Sequence, residues 1–480
     1  MRALFLTIVV EVIGRRRQGS IYLIVVGLAT LAWFSVALGA GDLSARRDSY
    51  FKVLADLAQE QVRPRLGLAG RQAEPVLRIV RPPELGSIIA RGQDLSVPAY
   101  FDFGPAGSIW ARSVAFDTVQ LQAGTLLDLE SVIRVVGGFL ALLLGLDATT
   151  AARTKGVVKA WAALGANPTA VTLGKLFGCW VILVVVSTVV MSAAAVSAVV
   201  RLPDDTGNVG ALFARCLVPT LLYLGCFTAV GAACAVWLRH PTSAFVGGIA
   251  IWIVSAMLWP QIVALGARIQ SPTDLRVSIE AKRDQAVADE LRAGEDALGD
   301  AIVARIGQVS GDETAQAVVT QRAELEAIWL THAERARAAA TTIETAWIEA
   351  RTHQASLARL GGFLGPGTTF LRAMAALSAT DDDIVWRWPA AADAHQRKLS
   401  QLLFDDRPQV IVRAPAQQAR QVLPFVRRES PRWQELPAFD APLVTPFDLW
   451  RSAARSQVAL VGYCGLFVLL VAIGTWRRPF

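Results

Sequence analysis

Apolar residues along this chain gather into long runs separated by polar stretches of very unequal length. Residues 21–40 form an apolar run without a single charge. About 20 such residues, wound as a helix, cross a roughly 30 Å hydrocarbon core. Further runs occupy 129–149, 171–200, 211–238, 243–266 and 456–476. With the first span set at 19–40, the pattern predicts an α-helical polytopic membrane protein with six transmembrane helices. Two long polar stretches interrupt the spans, at 41–128 and 267–455. They are expected to be extracytoplasmic insertions, the first small and mixed α/β, the second larger and mainly a helical hairpin.

Within the first insertion, 50–60 has helical spacing, while Pro75-Val-Leu-Arg-Ile-Val alternates like a strand. Residues 85–90 and 97–103 read as further short strands. In the second, Ser271-Pro272-Thr273-Asp274 has the signature of a helix start, and Ser310-Gly311-Asp312-Glu313 combines a break with a second one. Two helical arms follow, the first about 50 Å long and weakened by Gly294, Gly299 and Gly307. The stretch 361–378 is apolar but short, contains Arg372 and ends near Asp381-Asp382-Asp383. It is expected to lie on the outer membrane surface. Adjacent carboxylates do not share a face, so the aspartate triplet fits a helix cap or turn better than a cation site. Residues 389–404 read as an amphipathic helix, and the Pro- and Arg-rich tract to 450 as extended structure. The first 18 residues, with Arg15-Arg16-Arg17, read as a retained interfacial helix.

Composition agrees with a membrane protein. Hydrophobic residues make up 53% and charged residues 18%, and mean hydropathy is +0.42; soluble chains carry about 25% charged residues. The formal charge of +7 is unevenly placed. Arg2, Arg15, Arg16, Arg17, Arg153, Lys155, Lys159, Lys175, Arg239, Arg477 and Arg478 fall in or beside the termini and the loops after spans two and four, against only Glu11 and Asp147. By the positive-inside rule these segments are cytoplasmic and both insertions lie outside. The basic balance is a topology signal, with no nucleic-acid partner implied. All five cysteines sit inside apolar runs, so no disulfide framework is available.

The chemistry-bearing motifs are few. There is no GxxxxGK[ST] phosphate loop, no HExxH and no GxSxG, and the four histidines are scattered. Ionisable residues in the spans lie near their ends: Arg134, Lys175 and Arg215. No acid sits near a midplane, where ion-coupled carriers need one. Arg134 and Arg215 are the candidate pathway or interface residues. Glu130 lies one helical turn before Arg134, and an i,i+4 pair snorkelling to the interface fits better than a substrate contact.

Three short stretches between spans two and three carry a resemblance. They are Asp147-Ala-Thr-Thr-Ala-Ala-Arg-Thr-Lys-Gly156, Leu164-Gly-Ala-Asn-Pro168 and Leu173-Gly-Lys-Leu-Phe-Gly178. Together they resemble the segment joining spans two and three in ABC-2 type transporter permeases. Arg81-Pro-Pro-Glu-Leu-Gly-Ser-Ile-Ile-Ala-Arg-Gly-Gln-Asp94 is similar to the "R-P-P-x-L-S-h-h-x-x-G-x-D" element of the branch with two large extracytoplasmic insertions. Gly365-Pro-Gly-Thr-Thr-Phe-Leu-Arg-Ala-Met-Ala-Ala-Leu-Ser-Ala-Thr-Asp381 is similar to its "S-P-h…A-h-A-G-T-D" element. One departure is clear: the family's glutamates before the coupling helix are replaced by Thr150-Ala-Ala-Arg-Thr-Lys155, which leaves a basic tip.

The resemblance implies a permease subunit, not an enzyme, that couples ATP hydrolysis elsewhere to export or mechanical transmission. Its ATPase-coupling segment would be 150–170, with Arg153, Lys155, Val158, Lys159, Trp161 and Leu164 at the contact. This chain would bind no cofactor, since ATP-Mg would sit in the partner ATPase dimer. A second permease subunit is also implied, a copy or, better fitting the basic tip, a non-identical paralogue; the first span and the span from 245 would face it. The lipid bilayer and a periplasmic partner complete the expected surroundings, in a bacterial inner membrane with both termini cytoplasmic. The alternative is a non-transporting receptor or scaffold that holds a periplasmic partner.

Overall fold

In the computed structural model, the chain is described at residues 2–16, 19–62, 77–92, 94, 100–103, 109–110, 128–154, 156, 160–161, 163–238, 240–272, 276–306, 322–392, 394–395, 398, 409–411, 425–427 and 438–477. Six helices among these are long and apolar enough to cross a membrane. A short helix, α1 (Arg2–Arg16), precedes the first span, α2 (Gly19–Val62). The second span, α3, joins Leu129–Val132, a π-helical segment Ile133–Gly137 and Gly138–Thr154. Then come α4 (Pro168–Arg201) and α5 (Thr206–Trp237). The fifth span, α6, joins Pro241–Trp252, a second π-helical segment Ile253–Leu258 and Trp259–Gln270.

Span α5 is the centre of the bundle, packed on α3, α4 and the last helix, and most of its side chains are buried. Small residues make that possible. A Cβ on Gly145 of α3 would lie 2.0 Å from the Thr228 carbonyl oxygen, and one on Gly231 of α5 would lie 2.2 Å from that of Leu142. The two backbones therefore touch at paired glycines, the way helices associate closely in lipid. Span α6, by contrast, leaves most of its apolar surface exposed.

The first span does not stop at the end of its apolar run. It continues as one helix through the 50–60 stretch that the sequence separates from it. Gly39 is not a break: its missing side chain admits the Ile88 backbone, whose carbonyl oxygen would lie 3.1 Å from a Cβ there. Beyond it the described part of the first insertion holds three antiparallel strands, β1 (Leu77–Val80), β2 (Tyr100–Phe103) and β3 (Ile109–Trp110), in the order β1-β2-β3. Leu77 pairs with Phe103 and Val80 with Tyr100. The expected strand at 85–90 is instead a 3-10 turn, Leu85–Ile88. Ser87 Oγ donates to the Glu84 carbonyl at 2.8 Å, a local bond that competes with a ladder.

The second insertion rises as a hairpin of α7 (Arg276–Ile306) and α8 (Arg322–Gly362), which pack on each other. Neither Gly294 nor Gly299 breaks α7; a Cβ on Gly294 would lie 2.8 Å from His332 Cβ, so that glycine serves close helix packing. Gly307 and the 310–313 helix start lie outside the described residues. Ser271 ends α6, its hydroxyl donating to the Ala350 carbonyl at 2.9 Å, and 273–275, where the expected helix start falls, lie outside the described residues. At the foot of the hairpin Arg351 lies over the rings of Trp347 and Trp386, 5.6 and 4.2 Å from their centroids.

The largest departure is α9 (Pro366–Leu377), expected on the membrane surface. It is buried in protein, with Phe370 stacked on Tyr223 of α5 at 4.4 Å between centroids. Its apolar residues meet side chains where lipid was expected, and the Arg372 guanidinium is held within the protein, donating to the Arg359 carbonyl at 3.0 Å and lying over the Phe363 ring. Asp382 and Asp383 then occupy the first turn of α10 (Asp382–Val385), with Asp381 at its N-cap position. Residues 389–392, 394–395 and 398 are helical, as expected for the start of the 389–404 stretch; the rest of 389–437 lies outside the described residues, apart from the antiparallel pair β4 (Gln409–Ile411) and β5 (Phe425–Arg427). The last span is α11 (Pro446–Arg477).

Candidate functional site

The segment between α3 and α4 is framed by two glycines in left-handed backbone, Gly156 at φ +66° and Gly165 at φ +80°. Between them the Ala160 N–H donates to Gly156 O at 3.0 Å, and the Leu164 N–H to Ala160 O at 3.3 Å, both helical spacings. The Ala166 N–H reaches back to Trp161 O at 3.0 Å, which with Gly165 makes a Schellman end. Asn167 then caps α4, its Oδ1 accepting from the Thr169 N–H at 3.0 Å ahead of Pro168. Of the predicted contact residues, Arg153 falls in the last turn of α3, and Trp161 and Leu164 fall on the short helical segment. Leu164 is 82% exposed and Trp161 half-buried. Lys155, Val158 and Lys159 lie outside the described residues.

What sequence reasoning missed is how this end is fastened. Helix α1 lies against α4, where Gly174 and Gly178 let its backbone and Glu11 approach: Cβ atoms there would come within 2.8 Å of Thr7 and 2.9 Å of Glu11. Glu11 accepts from Arg15 Nε at 2.9 Å and from Lys175 Nζ at 3.1 Å. Arg15 reaches on to Asp147 at 2.6 Å. The chain's first helix, second span and third span are thus tied by four charges. The signal was in the sequence, since Glu11 and Asp147 are the two acids set against the basic loop residues.

At the other end, Arg134 does not snorkel. Its guanidinium turns into the protein, meeting buried Glu130 at 2.7 Å and donating to the Ala256 carbonyl. Tyr223 Oη donates to the Arg134 carbonyl at 2.8 Å. Arg134 and Ala256 belong to the two π-helical segments, whose wider turns free backbone groups and occur often at functional sites. Gly367 of α9 seats against the Ser255 carbonyl beside them. Arg215 is elsewhere, half-buried on α5, with an Nε that has no hydrogen-bond partner among the described residues. Glu84 faces Arg215 electrostatically; burial pushes its carboxyl up to about 7, against the pull of Arg81 and Arg215.

Between Arg134 and the first insertion sits a buried ionic dock. Arg46 of α2 donates to Asp94 at 2.6 Å and to Ser87 Oγ at 2.7 Å, and Arg81 also donates to Asp94. Arg91 approaches Asp128 at 3.4 Å and Asp42 at 3.8 Å. Burial raises the Asp128 carboxyl to about 6, with Arg91 opposing. Thr380 Oγ1 donates to Ala90 O at 2.9 Å, and a Cβ on Gly86 would lie 1.8 Å from Ser378 O. The two stretches 81–94 and 365–381, far apart in sequence, are therefore partners in one joint. Among the described residues no cluster of His, Cys, Asp and Glu has the geometry to hold a metal ion.

Comparison with known proteins agrees with this architecture. The family model described as ABC-2 family transporter protein matches residues 15–379, taking in the tip segment, the dock, the helical hairpin and α9. No curated protein and no solved structure matches. The matched range is most of the chain, and with its six apolar helices this multi-pass membrane protein belongs to the ABC-2 transporter family.

Proposed function

We propose that the chain is the permease subunit of an ATP-driven complex that exports cargo or transmits force across a bacterial inner membrane. A separate ABC ATPase dimer, holding ATP-Mg, docks beneath the 150–170 segment, and a second permease completes the pathway. Both termini and the tip are cytoplasmic; the strands of the first insertion and the α7–α8 hairpin face the periplasm, where the hairpin meets a partner. The observation that carries this reading is the tip itself. A short helical segment bounded by two left-handed glycines presents Leu164 to solvent, while four paired charges hold its root to α1 and α4. An apolar side chain held out on an anchored turn is suited to a socket on another protein.

The test is co-purification of a candidate ABC ATPase with a variant carrying R153E, K155E and K159E. Loss of association and of stimulated ATPase turnover is the expected result. Unchanged association and turnover would remove the coupling assignment and leave a receptor or scaffold. Labelling of a G311C variant from outside intact cells tests the topology, with protection there overturning it.

A further inference from the structure

A cleft enters the side of the bundle between α2 and α3. Helix α2 rests on the start of α3 and along α4, whereas the rest of α3 packs on α5, so the first two spans part below Val132. The space between them, open solvent at its mouth included, is about 740 Å³. Ile24 and Leu28 of α2, Leu140 and Leu144 of α3, and Val186 and Met191 of α4 are among the residues of its wall. None of the lining residues is charged or aromatic. Ile24 stands exposed at the mouth, and Leu140 and Leu144 are half-exposed.

The dimensions point to an occupant. Val132 and Leu144, which line the cleft on α3, are about 18 Å apart at 1.5 Å per residue. One leaflet of a roughly 30 Å hydrocarbon core is about 15 Å deep. Two hydroxyls reach the wall. Thr220 donates to Cys216 O at 2.9 Å, and Ser187 has no hydrogen-bond partner among the described residues. Ser187 does not call for a polar ligand, because a turn of its side chain brings it to its own helix's carbonyls. Its neighbour Thr188 already bonds Val184 O in that way, at 2.8 Å. A site this long, uncharged, mostly aliphatic and open sideways among membrane spans suits a hydrocarbon chain and offers no charge to a headgroup.

We propose that the cleft between α2 and α3 holds one acyl chain of a bilayer phospholipid, bound as a component of the transmembrane fold. This rests on the six spans and not on the coupling assignment. The experiment places the full-length protein in phosphatidylcholine nanodiscs doped with a phosphatidylcholine carrying a diazirine on one acyl chain. After irradiation, labelled residues are mapped by mass spectrometry.

Labelling at 140–144 and 186–191 is expected to exceed, several-fold, that at Val458 and Val461, exposed residues of α11. I24W, which plugs the mouth, should cut the cleft signal several-fold and spare α11. V185W, on the exposed face of α4, should change neither. Should I24W fail to fold, retention of one phospholipid mass through delipidating detergent washes is the second readout. Even labelling of all exposed faces, with no lipid retained, overturns the proposal. Loss of labelling in S187A would show an occupant that bonds the hydroxyl, and cross-linking of I24C between copies would show a protein covering the cleft. Either result also overturns it.

Discussion

The two ends of the helical bundle differ in how completely their charged and apolar groups are closed off from solvent. At the insertion end, Arg46, Arg81 and Asp94 are buried together, the 81–94 stretch is wedged against 378–380, and glycines allow the backbones to touch. At the tip end Glu11 and Arg15 are buried too, but the network opens to solvent at Asp147, which is largely exposed, and the outermost apolar residue faces solvent. Buried charges are tolerated only when every partner stays in place, so the insertion end behaves as a single joint. An exposed turn tolerates change and waits for a partner. The difference separates where the chain holds itself together from where it makes contact.

Four measurements would break or sharpen that contrast, each read as thermal or denaturant stability in detergent. The largest effect should come from D94A, which strands Arg46 and Arg81 without their shared carboxylate. Breaking a buried pair in this way costs about 3–5 kcal/mol, and a loss under 1 kcal/mol would show the dock to be solvated. Next comes pH. Burial raises Asp128 to about 6 and Glu84 to about 7, above their ordinary values. The folded joint therefore binds more protons than the unfolded chain between the ordinary and raised values. Its stabilisation is full below about pH 4 and is lost as pH rises through about 6 and 7. Melting temperature should climb as pH falls from about 8 to about 5, and D128N should flatten the lower part of that slope.

A smaller gain is expected from A379G. Ala379 ends α9 at φ +59°, with the Thr380 N–H bonded to Ala375 O at 2.9 Å in a Schellman turn. The similar family element has glycine at this position. Relief of left-handed strain, less the added freedom of the unfolded chain, should leave a net gain under about 1 kcal/mol. Smallest of all is L164D at the tip, where stability should move by no more than about 0.5 kcal/mol while association with an ATPase is lost. A large stability loss there would erase the contrast between the ends.

How much of this was legible follows from what determines each feature. The spans are written locally, as apolar runs long enough to cross a bilayer, and they were readable without any partner. Helix α9 was not, because its surroundings are Tyr223 and the π-helical segment of α6, supplied by distant parts of the chain. An apolar stretch of 12 residues looks the same whether lipid or protein covers it. Gly294 was misread for the same reason. It looks like a weak point in a helix, and the contact that explains it, His332, comes from a remote segment. At the tip, the flanking glycines and the Asn167-Pro168 cap were local and visible. The bond from Lys175 to Glu11 joins residues 164 apart, and only the scarcity of acids hinted at it.

Helix α2 is a strut of 44 residues, about 66 Å long at 1.5 Å per residue, more than twice the thickness of the hydrocarbon core. It begins beside α1, near the tip, and passes Asp42 and Arg46 in the dock before it ends. Such a rod has leverage. A tilt of about 5° pivoting at one end would sweep the other through about 6 Å, roughly one helical turn. With the dock as pivot, about 38 Å of helix lies before it and about 27 Å beyond it at 1.5 Å per residue, so a shift at the tip end is passed on, reversed and somewhat reduced, to the insertion end.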